Sequence, residues 1–264
     1  MRTTGYYSKG VIEVKKMHIG TMGWSYDFWI GNFYPAGSQN LLTEYAKNFD
    51  TVEINNTFYR IPSRDTVRKW KEEVPEDFIF SAKFPRKITH IKMLQDCREE
   101  LEVFIEHMSL LGNKLGPLLM QFPSGFVPEK SEILKDFLAG LPERCRFAVE
   151  VRNKKWLGDK FYDLLRDNGV ALVLIDHPWM PRMNTITADF TYIRWEGDRN
   201  KIKGTLGKVE RDRSEDIKNW GMNIKGFFED SVEVFGYFSK SYSGYPPGDV
   251  RTLLDILRLS FNPP

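Results

Sequence analysis

Cysteine is nearly absent from this chain: its 264 residues hold two, Cys97 and Cys145. They stand far apart, in no metal or redox spacing. That argues against a disulfide scaffold or a zinc module, and both read as reduced structural thiols. Histidine is also scarce, with four in all, and no H-x-H or H-E-x-x-H spacing occurs. Neither a metal nor any other cofactor is therefore expected. No apolar run approaches the ~20 residues of a membrane span. The first residues carry no apolar signal core, so a cytoplasmic protein without a membrane partner is expected. A strong charge excess is missing too: 38 basic residues face 36 acidic ones, for a net charge of +2. Bulk electrostatics thus do not argue for nucleic acid, although a local basic groove remains open. Finally, Gly20-Thr21-Met22-Gly23-Trp24 lacks the full G-x-G-x-x-G spacing of a dinucleotide turn. Its two glycines read as easing a tight strand–loop turn.

The sequence is 41% hydrophobic and 14% aromatic, enough for a sizeable core. Residues 1–16 are polar and read as an N-terminal extension, with Val11–Val14 as an added edge strand. Periodic patterning starts at Met17, and residues 17–264 read as one domain without repeats or linkers. Strands are predicted at His18–Thr21, Thr51–Asn55, Phe78–Lys83, Leu118–Phe122, Phe147–Arg152, Val170–Ile175, Thr191–Trp195 and Val232–Phe238. Helical patterns fall between them. Ser38 is predicted to cap a helix over Gln39–Asn48, and Ser63 one that runs through Trp70. Asp96 with Glu99 resembles a capping box before the stripe Leu101, Phe104, Ile105, Met108, Leu111. Asp159, Ser214 and Asp249 open three more. Eight strands with seven or eight helices in about 250 residues is the count of a (β/α)8 TIM-like barrel.

Strand side chains alternate between faces. Thr51, Glu53 and Asn55 therefore share one face of their strand, and Glu150 and Arg152 share one face of theirs. A carboxylate in a strand is costly unless it is paired or functional. Barrel enzymes build their sites at the strand C-terminal ends. There the chain collects Thr21, Trp24, Glu53, Asn55, Lys83, Gln121, Glu150, Arg152, Asp176, His177, Arg194 and Tyr237. Glu53 and Glu150 are candidates for general acid and base, and Lys83 is a candidate catalytic amine. Trp24, Tyr26, Asn55, Tyr59, Gln121, Arg152 and Arg194 are candidate substrate-binding residues, the cations for an anion and the aromatics for stacking. A locally basic loop spans Arg199 to Arg213, interspersed with acids.

Several stretches resemble the YecE-like family, the domain of unknown function seventy-two. They are Ile19–Tyr26 with Trp29–Pro35, Val52–Pro62, Phe80–Lys83 with Ile88–His90, Leu115–Pro123, and Ala148–Arg152 with Trp156. The likeness runs from about Met17 to the C-terminus and implies a TIM-barrel-like fold without supplying a reaction. The chain departs from the family pattern at Glu196, where the family tends to have His, and at Ser239-Lys240-Ser241, where it tends to have an Asn pair. The expected function is an enzyme acting on a small anion, a sugar phosphate or nucleotide fragment, through glutamate acid–base chemistry. The alternative is a non-catalytic barrel that binds nucleic acid or protein with the same cations and aromatics. The oligomeric state is not indicated. The mouth is read as wet and built for a ligand, so Glu150→Gln is expected to leave the melting temperature within a few degrees of wild type; in a dry, purely structural pair it would cost ~3 kcal/mol.

Overall fold

Alternating strands and helices of this length close on themselves. The computed structural model describes residues 17–261 and contains one closed, all-parallel barrel of eight strands. These are β1 (Met17–Met22), β2 (Thr51–Ile54), β3 (Ile79–Lys83), β4 (Leu115–Gln121), β5 (Phe147–Glu150), β6 (Ala171–Asp176), β7 (Phe190–Trp195) and β8 (Glu233–Phe238). Each pairs with its neighbour in sequence, and β1 closes on β8 with Met17 beside Val234 and Thr21 beside Phe238. All eight predicted strands are present. The expected extension and its edge strand at Val11–Val14 lie outside the described residues. No helix among the described residues is long and apolar enough to cross a membrane.

The outer ring holds α1 (Leu41–Ala46), α2 (Arg64–Glu72), α3 (Arg98–Met108), α4 (Ser131–Ala139), α5 (Asp159–Asp167), α6 (Ser214–Glu229) and α7 (Pro246–Phe261). Each turns an apolar stripe inward; α6, for example, buries Ile217, Trp220, Ile224 and Phe227. Ser63 caps α2 as expected, accepting a hydrogen bond from the Thr66 amide at 3.2 Å. Three expectations are corrected. Asn40, not Ser38, caps α1, which starts at Leu41. The Asp96–Glu99 capping box does not form, because Asp96 adopts a φ of +46° and α3 starts after Cys97 without a side-chain cap. The last helix opens at Pro246 rather than Asp249, as Pro in a first turn allows. Between β6 and β7 the chain crosses without a helix, through residues 177–189.

The barrel interior is filled. At its N-terminal end the His18 ring stacks on Phe235 and the Arg146 guanidinium lies over Phe190 and Phe235. Above them Leu119, Ala148, Val173, Tyr192 and Tyr237 pack together. Gly20 is required where β1 meets β2, since a Cβ there would stand 2.2 Å from the Thr51 carbonyl oxygen. At the C-terminal end a buried cluster of Glu53, Glu150 and Arg194 replaces this packing.

Candidate active site

Period-two alternation aims Glu53 from β2, Lys83 from β3, Gln121 from β4, Glu150 from β5 and Arg194 from β7 into the barrel mouth. Arg194 is the hub. Its five N–H groups are all used: Nε and Nη2 reach Glu53 at 2.9 and 2.8 Å, Nη1 reaches Glu150 at 2.7 Å and Glu196 at 2.6 Å, and Nη2 also meets the Met22 sulfur at 3.3 Å. Glu53 accepts further hydrogen bonds from Asn55 Nδ2 and the Tyr192 hydroxyl, both at 2.8 Å. Arg152 donates to Glu150 and, at 2.9 Å, to Glu196. Arg199 donates to the other oxygen of Glu196 at 2.9 Å. Glu53, Glu150, Glu196 and Arg194 are all essentially inaccessible to water.

Such a cluster survives burial only because each carboxylate is matched. Burial alone would raise the Glu150 carboxyl pKa. The Arg152 and Arg194 guanidiniums override it and hold the group below the ordinary carboxylate range. Glu196 is likewise held well below that range: burial pushes it up, and Arg194, Arg152, Arg199 and Lys83 pull it down more strongly.

Lys83 behaves differently. Its Nζ donates to Gln121 Oε1 at 2.9 Å and sits 4.2 Å from the Phe58 ring centre. No ion pair joins it to a carboxylate among the described residues. Burial, and next the Arg194 charge, lower its pKa to about 8, against the upward pull of Glu150, Glu196 and Glu53. Beside it, His90 donates to or accepts from the Thr89 hydroxyl at 2.9 Å, and burial with the Lys83 charge lowers its pKa to about 4. Burial and Arg152 lower that of His177. His90 lies on a single π-helical turn, Lys87–Ile91, a local irregularity that recurs at functional sites.

Above the cluster opens a cavity of about 890 Å³. Of the residues singled out from the sequence, Tyr26, Asn55, Tyr59, Lys83, Gln121, Arg152, His177 and Arg194 line it. Glu53 and Glu150 are sealed beneath it and do not line it. Four candidates are elsewhere. The chain turns at Gly23 with a φ of +86°, and the Trp24 ring packs edge-on against Trp70 over a separate hollow. Thr21 faces the helices and bonds the Tyr45 hydroxyl. Asp176 also points outward, to Trp220 Nε1 at 3.0 Å and to Arg182. Tyr237 lies deeper in the barrel, bonded to Ser81 and Thr51. The sequence reading missed Tyr192 and the inward role of Glu196, although alternation along β7 from Arg194 points both of them inward. It also missed Arg86 and Lys240, which line the cavity from loops. Among the described residues, no three His, Cys, Asp or Glu side chains converge as metal ligands would.

Comparison with known proteins places this geometry in a family. A sequence profile described as "Protein of unknown function DUF72" matches residues 18–264. UPF0759 protein YecE of Escherichia coli K12 is 33% identical over 165 residues, 61% of this chain and 59% of that protein, so the match spans about three-fifths of the relative's length. UPF0759 protein YunF of Bacillus subtilis is 25% identical over 280 residues, covering 93% of this chain and 96% of that one. The crystal structure of a DUF72 family protein from Thermotoga maritima superposes with a TM-score of 0.76 at 25% identity, over 92% of this chain and 99% of that chain.

Proposed function

This chain belongs to the DUF72 family, and on that premise we propose that its barrel mouth is the active site of an enzyme acting on a small polar anion, a sugar phosphate or nucleotide fragment, by acid–base chemistry. The observation that carries the proposal is Lys83: an amine that lines the mouth cavity and has no carboxylate partner among the described residues, its pKa lowered by burial to about 8. A general base works best when its pKa lies near the operating pH. A fraction of Lys83 is then neutral and takes a proton from a substrate O–H or C–H, and the ammonium returns it to the product. Gln121 fixes the direction of Nζ. Arg152, whose guanidinium is partly exposed above Glu150, together with the rim cations, holds the substrate's anionic group and the charge that develops.

Glu53 and Glu150 change roles relative to the expectation from sequence. Both oxygens of each accept guanidinium hydrogens, and neither side chain meets water. In the proposal they clamp Arg194 and Arg152 and set the field at Lys83, and Lys83 moves the proton. Arg194, with every donor engaged, holds the carboxylates rather than the substrate. The test is a turnover screen of phosphorylated sugars and nucleotides followed by NMR. Turnover of any of them should fall roughly 10²–10⁴-fold in Lys83→Met, the usual contribution of a general base. Turnover unchanged in that variant, or none with any phosphorylated compound, contradicts the proposal.

A further inference from the structure

We infer that the ligand of this mouth contains a nucleotide unit, its base stacked on Tyr59 or Trp179 and its phosphate held by the cations between them. The inference rests on the reading of the mouth as an anion site and adds the ring.

The charge is one-sided. Lys83, Arg86, Arg152, Arg194, Arg199, Lys203 and Lys240 line the cavity and no Asp or Glu does, in a chain with 36 acidic residues. Arg152, Arg194 and Arg199 are neutralised by three glutamates sealed beneath the cavity, Glu53, Glu150 and Glu196. Lys83, Arg86, Lys203 and Lys240 form no ion pair with any described residue. A surplus of this kind fits a ligand with more than one negative charge, as a phosphate monoester or a run of phosphodiesters supplies.

The aromatics are the second, independent observation. Among the aromatic side chains described, Tyr59 at 83% and Trp179 at 68% are the exposed ones, and both line this cavity. They follow β2 and β6, strands on opposite sides of the ring, so they flank the cations. Each is braced from behind. Tyr59 stands edge-on to Phe58 at 5.2 Å, and Phe58 in turn is edge-on to His90 at 4.9 Å. Trp179 stands edge-on to His177 at 5.2 Å, and its amide donates to His177 Nδ1 at 3.3 Å. Rings held out into water over a cationic floor offer π-faces to a base, and every base has one. A phosphate alone leaves both rings unused, and a base offers them a flat π-face that a sugar lacks.

The base and phosphate can arrive as a free nucleotide or within a single strand, and the experiment separates the two. Binding of ribose 5-phosphate, adenosine 5′-monophosphate, thymidine 5′-monophosphate and a short oligothymidylate is measured by calorimetry at low salt, on the wild type, Tyr59→Ala and Trp179→Ala. Both substitutions remove exposed rings, so the fold is retained. The nucleotides should bind about tenfold or more tightly than ribose 5-phosphate, the effect of one base–aromatic stack. One or both substitutions should erase that gap and leave ribose 5-phosphate binding unchanged. Oligothymidylate binding that exceeds the monophosphate, needs both rings and weakens steeply with salt identifies a strand; equal binding identifies a free nucleotide. Equal affinity for nucleotides and ribose 5-phosphate, insensitive to both substitutions, overturns the inference and leaves the anion site standing. No binding of any of the four overturns both.

Discussion

Replacing Arg194 by methionine tests the dry ion cluster most severely. Methionine keeps much of the side-chain length and removes all five donors. Glu53 then keeps only Asn55 and Tyr192, and Glu150 and Glu196 must share Arg152 and Arg199. Removing one partner of a buried pair costs about 3–5 kcal/mol, and Arg194 serves three carboxylates, so at least that loss is expected at neutral pH. For a chain of this size the melting temperature should drop by roughly 6–20 °C. The pH dependence has a definite sign. In the wild type, Glu150 and Glu196 are held below the ordinary carboxylate range, so their contribution is present above that range and is lost as pH falls through the lowered values. In the variant, burial faces a weaker opposing charge and raises the folded-state carboxyl pKa. The folded variant then takes up protons on acidification and recovers stability. Urea unfolding at neutral pH and at about pH 5 should show the gap between the two proteins shrinking towards acid. A cost below about 1 kcal/mol, or a gap that widens in acid, would refute the buried, matched cluster.

The same reasoning fixes the outcome for Glu150→Gln. Without water at Glu150 the cost should be ~3 kcal/mol, a fall in melting temperature of roughly 6–12 °C; a midpoint unchanged from wild type contradicts it. At the other end of the barrel His18 lies 3.0 Å from Asp50 and 3.6 Å from Glu233. Burial lowers its pKa, and the hydrogen bonds to the two carboxylates outweigh it, for a net rise. Its stabilisation is therefore full below about pH 6.5 and lost as pH rises through the raised value. The stability advantage of wild type over His18→Gln should shrink across that window, and a pH-independent difference would exclude the assignment. At Asp249 burial wins instead: it pushes the carboxyl up to about 7, against the Ser243 hydrogen bond. Stability is then lost between the ordinary Asp range and neutrality, so Asp249→Asn should raise the melting temperature above pH 7 and leave it unchanged near pH 4, read by calorimetry.

Short apolar runs made the strands legible from sequence, because parallel barrel strands are buried on both faces. The start of β4 was not: the predicted strand begins at Leu118, whereas β4 begins at Leu115 and includes Gly116-Pro117. The structure takes the proline into the strand where the β3–β4 register shifts between Phe80 and Ala82. The missing helix between β6 and β7 was equally hidden, since residues 177–189 are held by tertiary contacts such as Thr187 Oγ1 bridging Leu172 and Val170. At the site, alternation alone placed Glu53 and Glu150 together. It did not reveal that their oxygens are consumed, because the consuming donors arrive from β7 and from residues just past the ends of β2 and β5. Trp24 misled for the same reason in reverse: proximity to a strand end suggests the mouth, and the turn at Gly23 sends the ring to Trp70.

The central claim is that Lys83 is the proton-transfer group of the mouth, and the most direct test is its own titration. Nitrogen-15 NMR of the lysine side chains, with the Lys83 signal assigned by its loss in Lys83→Met, gives that value in the intact protein. The account predicts a midpoint near 8, shifting upward when a phosphate-bearing ligand fills the cavity and adds negative charge beside Nζ. A midpoint at the ordinary lysine value of about 10.4, unmoved by any such ligand, would contradict it.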